Sequence, residues 1–143
     1  MTPIRTIAVG IDGSPDAESA LRWAARLAHE LGARLAVVHA AGLLEHAAGR
    51  AGPPGPPGPA GLEETAIRLA AAEGLGGDRV RWYPSDGDPC SVLLRAAEPP
   101  VDADMLVVGS RGQGKHAGLL LGSTSLELAE HASIPVVIVP AGE

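Results

Sequence analysis

Short unbroken apolar runs alternate along this chain with longer stretches in which apolar residues recur every three or four positions. The first run, Ile7-Ala8-Val9-Gly10-Ile11, ends in Asp12-Gly13-Ser14-Pro15 and reads as a strand buried on both faces followed by a turn. Behind it Ala17, Ala20, Leu21, Ala24, Leu27, Ala28 and Leu31 trace one stripe of a helix, with Ser14 placed to cap it, Pro15 to begin it and Gly32 to end it. Arg34 to Ala40 is a second apolar run, so residues 7–40 have the length of a strand, helix, strand unit with a right-handed parallel crossover. Further on, Leu62, Ala66, Leu69 and Ala70 predict a short helix stopping at Gly74, and Val80 to Tyr83 a third strand. Asp88-Pro89 opens a helix with Val92, Leu93, Ala96 and Ala97 inward and Pro99-Pro100 closing it. Met105 to Val108 is the fourth strand, Leu126 to His131 the core of the last helix, and Val136 to Val139 the fifth strand.

Strands alternating with helices in this way predict an α/β fold: a single doubly wound five-stranded parallel sheet, order 3-2-1-4-5, with helices on both faces. In that order the winding reverses between strands 1 and 4. Open sheets bind ligands beyond the carboxyl ends of the strands at such a reversal, which brings Asp12 beside Gly109 and nominates a site from the fold alone.

One segment departs from the pattern. Gly52 to Gly61 reads GPPGPPGPAG, with glycine at every third place, but three triplets are far too few for a collagen triple helix. A mobile, polyproline-like loop at about residues 49–61 is expected, an insertion within one domain covering 1–143.

Composition narrows the function classes. A length of 143 residues suits one domain, and with no Phe, one Tyr and two Trp the core must be built from Ala, Val, Leu and Ile. The formal charge of -6 and the scattering of the eleven Lys and Arg disfavour nucleic-acid binding. The single cysteine, Cys90, forms no internal disulfide, no window reaches membrane-spanning length, and the first residues lack a signal-peptide core, so no membrane and a cytoplasmic location are expected.

The candidate chemistry lies after the fourth strand. Gly109 to Gly122 holds five glycines in fourteen residues, a loop in which backbone N–H groups can converge on an anion. Gly122-Ser123-Thr124-Ser125 then opens a helix, with Thr124 and Glu127 at capping-box spacing, so hydroxyls, free donors and the positive end of the dipole coincide where a phosphate would sit. An ordinary N-cap would use the same residues. A P-loop is disfavoured because His116 stands where Gly109-x4-Gly114-Lys115 should be followed by Ser or Thr. A dinucleotide fingerprint at Gly112-x-Gly114-x-x-Ala117 follows the wrong strand.

The longer spacing is more specific: Gly109, two residues, Gly112, nine residues, Gly122, Ser123. Together with Asp12 after the first strand and the ending Ile134-Pro135-Val136-Val137-Ile138-Val139, it resembles the ATP-binding class of universal stress proteins over nearly the whole chain, the Gly/Pro loop excepted. The resemblance implies the adenine nucleotide alpha hydrolase-like version of the fold and ATP, with Mg2+, as ligand. It implies Asp12 at the ribose or phosphates, Ala40 by the adenine, Gly109 and Gly112 close to the ribose and α-phosphate, and Gly122, Ser123 and Thr124 at the β- and γ-phosphates, with Ser125 and Arg111 in the same turn. Arg111 stands where this family often has His. The resemblance also makes the fifth strand a homodimer contact, and the apolar edge strand Val136 to Val139 suits one.

Among the remaining residues, Cys90 reads as a buried filler and no histidine pair has metal spacing, although His39 ends the second strand near the site. Asp102 and Asp104 read as solvated charges, Glu63 and Glu64 as acids of a first helical turn, and Trp23 and Trp82 as partly buried packing residues. Three functions stay open: an ATP-binding stress-response regulator with little or no turnover, acting through an unknown protein partner; a slow ATPase or phosphotransferase with Asp12 on Mg2+ and Lys115 or Ser123 on the γ-phosphate; and an interaction module binding AMP, cAMP or no nucleotide.

Overall fold

In the computed structural model residues 3–41, 59–110 and 123–140 are described. The elements are β1 (Thr6–Ile11), α1 (Pro15–Leu31), β2 (Arg34–Ala41), α2 (Pro59–Ala72), a single 3-10 turn (Gly77–Arg79), β3 (Val80–Asp86), α3 (Pro89–Arg95), β4 (Met105–Gly109), α4 (Ser123–His131) and β5 (Val136–Val139). The five strands form one parallel sheet in the order β3-β2-β1-β4-β5, as the alternation of elements predicts.

Successive residues of a strand point to opposite faces, and the two core layers divide along that alternation. Ile7, Val9, Leu35, Val37 and Val107 pack beneath α1 and α2 against Ala20, Leu21, Ala24, Leu62 and Ala66. Ala8, Ala36, Val38, Leu106 and Val108 pack on the other face against Val92 and Leu93 of α3 and Leu128 of α4. Both faces of the central strands are thus covered, which is why β1 and β4 read as unbroken apolar runs.

The local signals at α1 act as expected. Ser14 Oγ accepts from the Ala17 N–H at 3.2 Å, Pro15 starts the helix where its missing N–H costs nothing, and Gly32 closes it in the left-handed conformation at φ 70°. Asp88 caps α3 by accepting from the Ser91 N–H at 3.0 Å.

Several sequence expectations need correction. β3 runs on through Pro84 to Asp86, because it is an edge strand, where a residue without an N–H removes no ladder bond on the open side. α2 begins at Pro59, so residues 59–61 belong to its first turn and not to the Gly/Pro loop, whose remainder at 49–58 lies outside the described residues. The earlier start puts Glu63 and Glu64 beyond the first turn. Asp104 is a partnered capping group: its Oδ2 accepts from the Arg5 and Thr6 N–H groups at 2.9 and 3.1 Å and fixes the start of β1. In addition, α3 ends at Arg95, short of Pro99-Pro100.

Candidate functional site

The reversal of winding falls between β1 and β4, whose register sets Val9 level with Val107. The pairing ends at that level, and two residues further on β1 stops at Ile11 and β4 at Gly109, where the chain leaves the sheet toward α1 on one side and toward the glycine-rich stretch of sequence on the other.

On the β1 side the chain turns sharply. Asp12 is half-buried, its Oδ1 accepts from the Ser14 N–H at 2.9 Å, and Gly13 takes φ 86°, a conformation open to glycine and strained for other residues. The turn fixes the Asp12 carboxylate at the amino end of α1, whose first turn already carries Asp16 and Glu18. That end of the crevice is therefore acidic.

On the β4 side Gly109 is a junction. A Cβ there would lie 2.8 Å from the carbonyl oxygen of Asp16, 3.0 Å from its carbonyl carbon and 3.1 Å from its Cβ, so the missing side chain lets the first turn of α1 close on β4. The Gly109 carbonyl accepts from Ser125 Oγ at 2.8 Å, tying β4 to the first turn of α4. One residue on, the Ser110 N–H donates to the Val139 carbonyl at 3.0 Å, holding the end of β4 to β5. Ser110 and Ser125 are both buried. Ser110 carries only a weak sequence signal of this role, its position directly after a buried strand, and nothing in the sequence points to the Asp16 backbone.

Ser123 is the first residue of α4, so Thr124 lies inside the first turn instead of at its cap, and the capping box with Glu127 is not formed at that spacing. Unlike α1, α4 has no acid in its first turn. Ala40 sits near the end of β2, one strand away from Asp12, half-buried against the second core layer. Beside it His39 is buried and stacks on Trp82, with ring centroids 5.8 Å apart and planes within 16°. The structure thus brings Asp12, Gly109, Thr124 and Ser125 to the reversal, with Ala40 on the neighbouring strand. Arg111, Gly112 and Gly122, with Lys115, lie outside the described residues, as does the side chain of Ser123.

Two other features do not supply chemistry. A shallow groove between α1 and α2, with Ile11, Leu21, Leu62 and Leu69 in its wall and Glu18 and Thr65 as its polar lining, is too small and too apolar for phosphates. Burial pushes the Cys90 thiol above its ordinary pKa, and the Glu127 and Asp88 carboxylates push it the same way, which makes it a poor nucleophile. Among the described residues no group of three or more His, Cys, Asp or Glu is placed to hold a metal, and no helix is long and apolar enough to cross a membrane.

Comparison with known proteins gives a consistent match. The model of the universal stress protein family matches residues 3–140. Universal stress protein Rv2623 of Mycobacterium tuberculosis is 35% identical over 147 residues, covering 93% of this chain and 46% of that protein. A universal stress protein of Thermus aquaticus is 33% identical over 135 residues, covering 94% of this chain and 98% of that protein. The crystal structure of a universal stress protein in complex with cAMP has a TM-score of 0.73 and 29% identity, covering 96% of this chain and 98% of that one. The chain spans about half the length of the mycobacterial relatives it matches, 47% of a universal stress protein of Mycolicibacterium smegmatis and 46% of Rv2623.

Proposed function

The chain belongs to the universal stress protein family, and from that premise we propose that it is an ATP-binding stress-response regulator that holds its nucleotide at the reversal between β1 and β4, with little or no turnover. The observation that carries this reading is the charge asymmetry of the two helix ends that meet there. The α1 end carries Asp12, Asp16 and Glu18, and its Ala17 and Glu18 N–H groups are already taken by Ser14, while α4 opens with Ser123-Thr124-Ser125 and has no acid in its first turn. Phosphates favour the α4 end, where Ser123 and Thr124 stand, and the Asp12 carboxylate suits the hydroxyl donors of a ribose. A related protein, 29% identical, binds cAMP, which has the same base and ribose.

In this reading Ala40 lies by the adenine, Gly109 and Gly112 by the ribose and α-phosphate, and Gly122, Ser123 and Thr124 by the outer phosphates. Arg111 belongs to the same turn, and Mg2+ would accompany ATP, with Asp12 as the carboxylate that would hold it. The reading includes a cytoplasmic homodimer joined through β5, which ends the sheet and keeps Val136, Val137 and Ile138 half-buried. Light scattering at micromolar concentration should give twice the chain mass.

Calorimetry of Mg-ATP on the wild type and on Gly122→Glu tests the site. Binding in the wild type and its loss in a variant that still folds is expected; a nucleotide-free wild type that binds no ATP refutes the reading. The cAMP-bound relative favours a second ligand assignment, and competition of AMP and cAMP against ATP decides between them. Catalytic release of ADP above the Gly122→Glu background would replace the regulator with a slow ATPase.

A further inference from the structure

The glycine-rich segment leaves the sheet at Gly109 and rejoins the fold at α4, and one hydrogen bond joins its two anchor points. Ser125 Oγ donates to the Gly109 carbonyl at 2.8 Å, across sixteen positions of sequence, and Ser125 is 3% exposed. We propose that Ser125 is a positioning residue: its hydroxyl staples the carboxyl end of β4 to the first turn of α4 and so fixes where the amino end of that helix stands when it meets the phosphates of the nucleotide. The inference rests on the nucleotide-binding reading above, and it reassigns Ser125 from phosphate ligand to frame.

Three observations support the reassignment. The hydroxyl proton of Ser125 is committed to a carbonyl, so it is not free to donate to a phosphate oxygen while that bond is made. Gly109 is itself held in place, packed closely against the Asp16 backbone and with the neighbouring Ser110 N–H bonded to the Val139 carbonyl. Both partners are shielded from water, Ser125 fully and Gly109 in part, so a broken bond would leave the Gly109 carbonyl under-satisfied inside the protein.

The test compares Ser125→Ala and Ser125→Thr with the wild type. Calorimetry with Mg-ATP and with adenosine is joined to backbone hydrogen exchange on the ligand-free proteins. Ser125→Ala should bind ATP about fivefold to tenfold more weakly, the factor of one ordinary hydrogen bond, with adenosine affinity unchanged within about twofold. Exchange at Ser110 and in the first turn of α4 should quicken before any ligand is added. Ser125→Thr keeps the hydroxyl and should restore all three readouts. Unchanged exchange in ligand-free Ser125→Ala, with ATP binding weakened, overturns the staple and returns the hydroxyl to the phosphates. Equal ATP affinity in wild type and Ser125→Ala overturns the positioning role outright. A wild type that binds neither ATP nor adenosine sinks the nucleotide reading and the positioning role with it, while the exchange data still judge the bond by itself.

Discussion

Replacing Gly109 with alanine separates the two reasons a chain can have for a glycine at the end of a strand. The added Cβ would meet the Asp16 carbonyl oxygen at 2.8 Å, closer than real Cβ atoms come, and its carbonyl carbon at 3.0 Å, tighter than most, and both belong to backbone inside the first turn of α1. Relief requires α1 to move off the sheet, and its inner face carries Ala17, Ala20, Leu21 and Ala24, all buried. Overpacking of this kind costs about 1–3 kcal/mol. For a chain of 143 residues that is a fall in Tm of roughly 3–12 °C, from a total stability of about 5–15 kcal/mol. Two other glycines calibrate the measurement. At Gly10 a Cβ would meet the Leu93 Cδ1 and Cδ2 at 3.0 and 3.1 Å, a side-chain tip that can rotate away, and at Gly77 it would meet nothing within 4 Å. Thermal and urea melts of the three alanine variants should therefore rank Gly77→Ala nearest the wild type, Gly10→Ala next and Gly109→Ala lowest. A Gly109→Ala protein that melts within about 1 °C of wild type would refute the close approach and return Gly109 to a role in ligand contact alone.

Two further outcomes concern stability. Gly32→Ala puts a Cβ at φ 70°, with only the Arg79 guanidinium nearby at 3.7 Å, so the cost is backbone strain of about 1 kcal/mol, read as a lower urea midpoint with unchanged slope. The Ser91 backbone N–H and hydroxyl hold the Asp88 carboxyl below its ordinary pKa, so this cap stabilises the fold above the ordinary carboxylate value and loses that contribution as pH falls. The Tm gap between wild type and Asp88→Ala should accordingly be full at pH 7 and shrink below about pH 4.

The sheet was legible because its five strands are separated by helices whose caps are written in the sequence. Ser14, Pro15 and Gly32 each do at α1 what their chemistry suggests, and a chain alternating strand with helix has few topologies open to it. The misreadings share a cause, which is that proline and acidic residues take their meaning from where an element lies. Pro84 looks like a stop until β3 is known to be an edge, and Pro59 looks like one more residue of a Gly/Pro repeat until it is seen to open α2. Asp104 looks solvated because its partners, the amides of Arg5 and Thr6, are nearly a hundred positions away.

The candidate site was legible to a different degree at each residue, and the difference bears on what a glycine pattern can prove. Asp12 follows from the fold, since any residue after β1 in this strand order stands at the reversal. Gly109 follows from the pattern but for another reason than the pattern suggests: its missing side chain faces the α1 backbone, and its carbonyl is taken by Ser125. A chain with this packing needs Gly109 and a donor at Ser125 whether or not a nucleotide ever binds, because the α1 approach and the buried carbonyl are costs of the apo fold. Those two positions are therefore weak witnesses for a ligand. What the glycine pattern adds to the charge asymmetry of the two helix ends rests on Gly112, Gly122 and Ser123, for which the frame at Gly109 and Ser125 makes no demand, and that is why the decisive substitution is placed at Gly122.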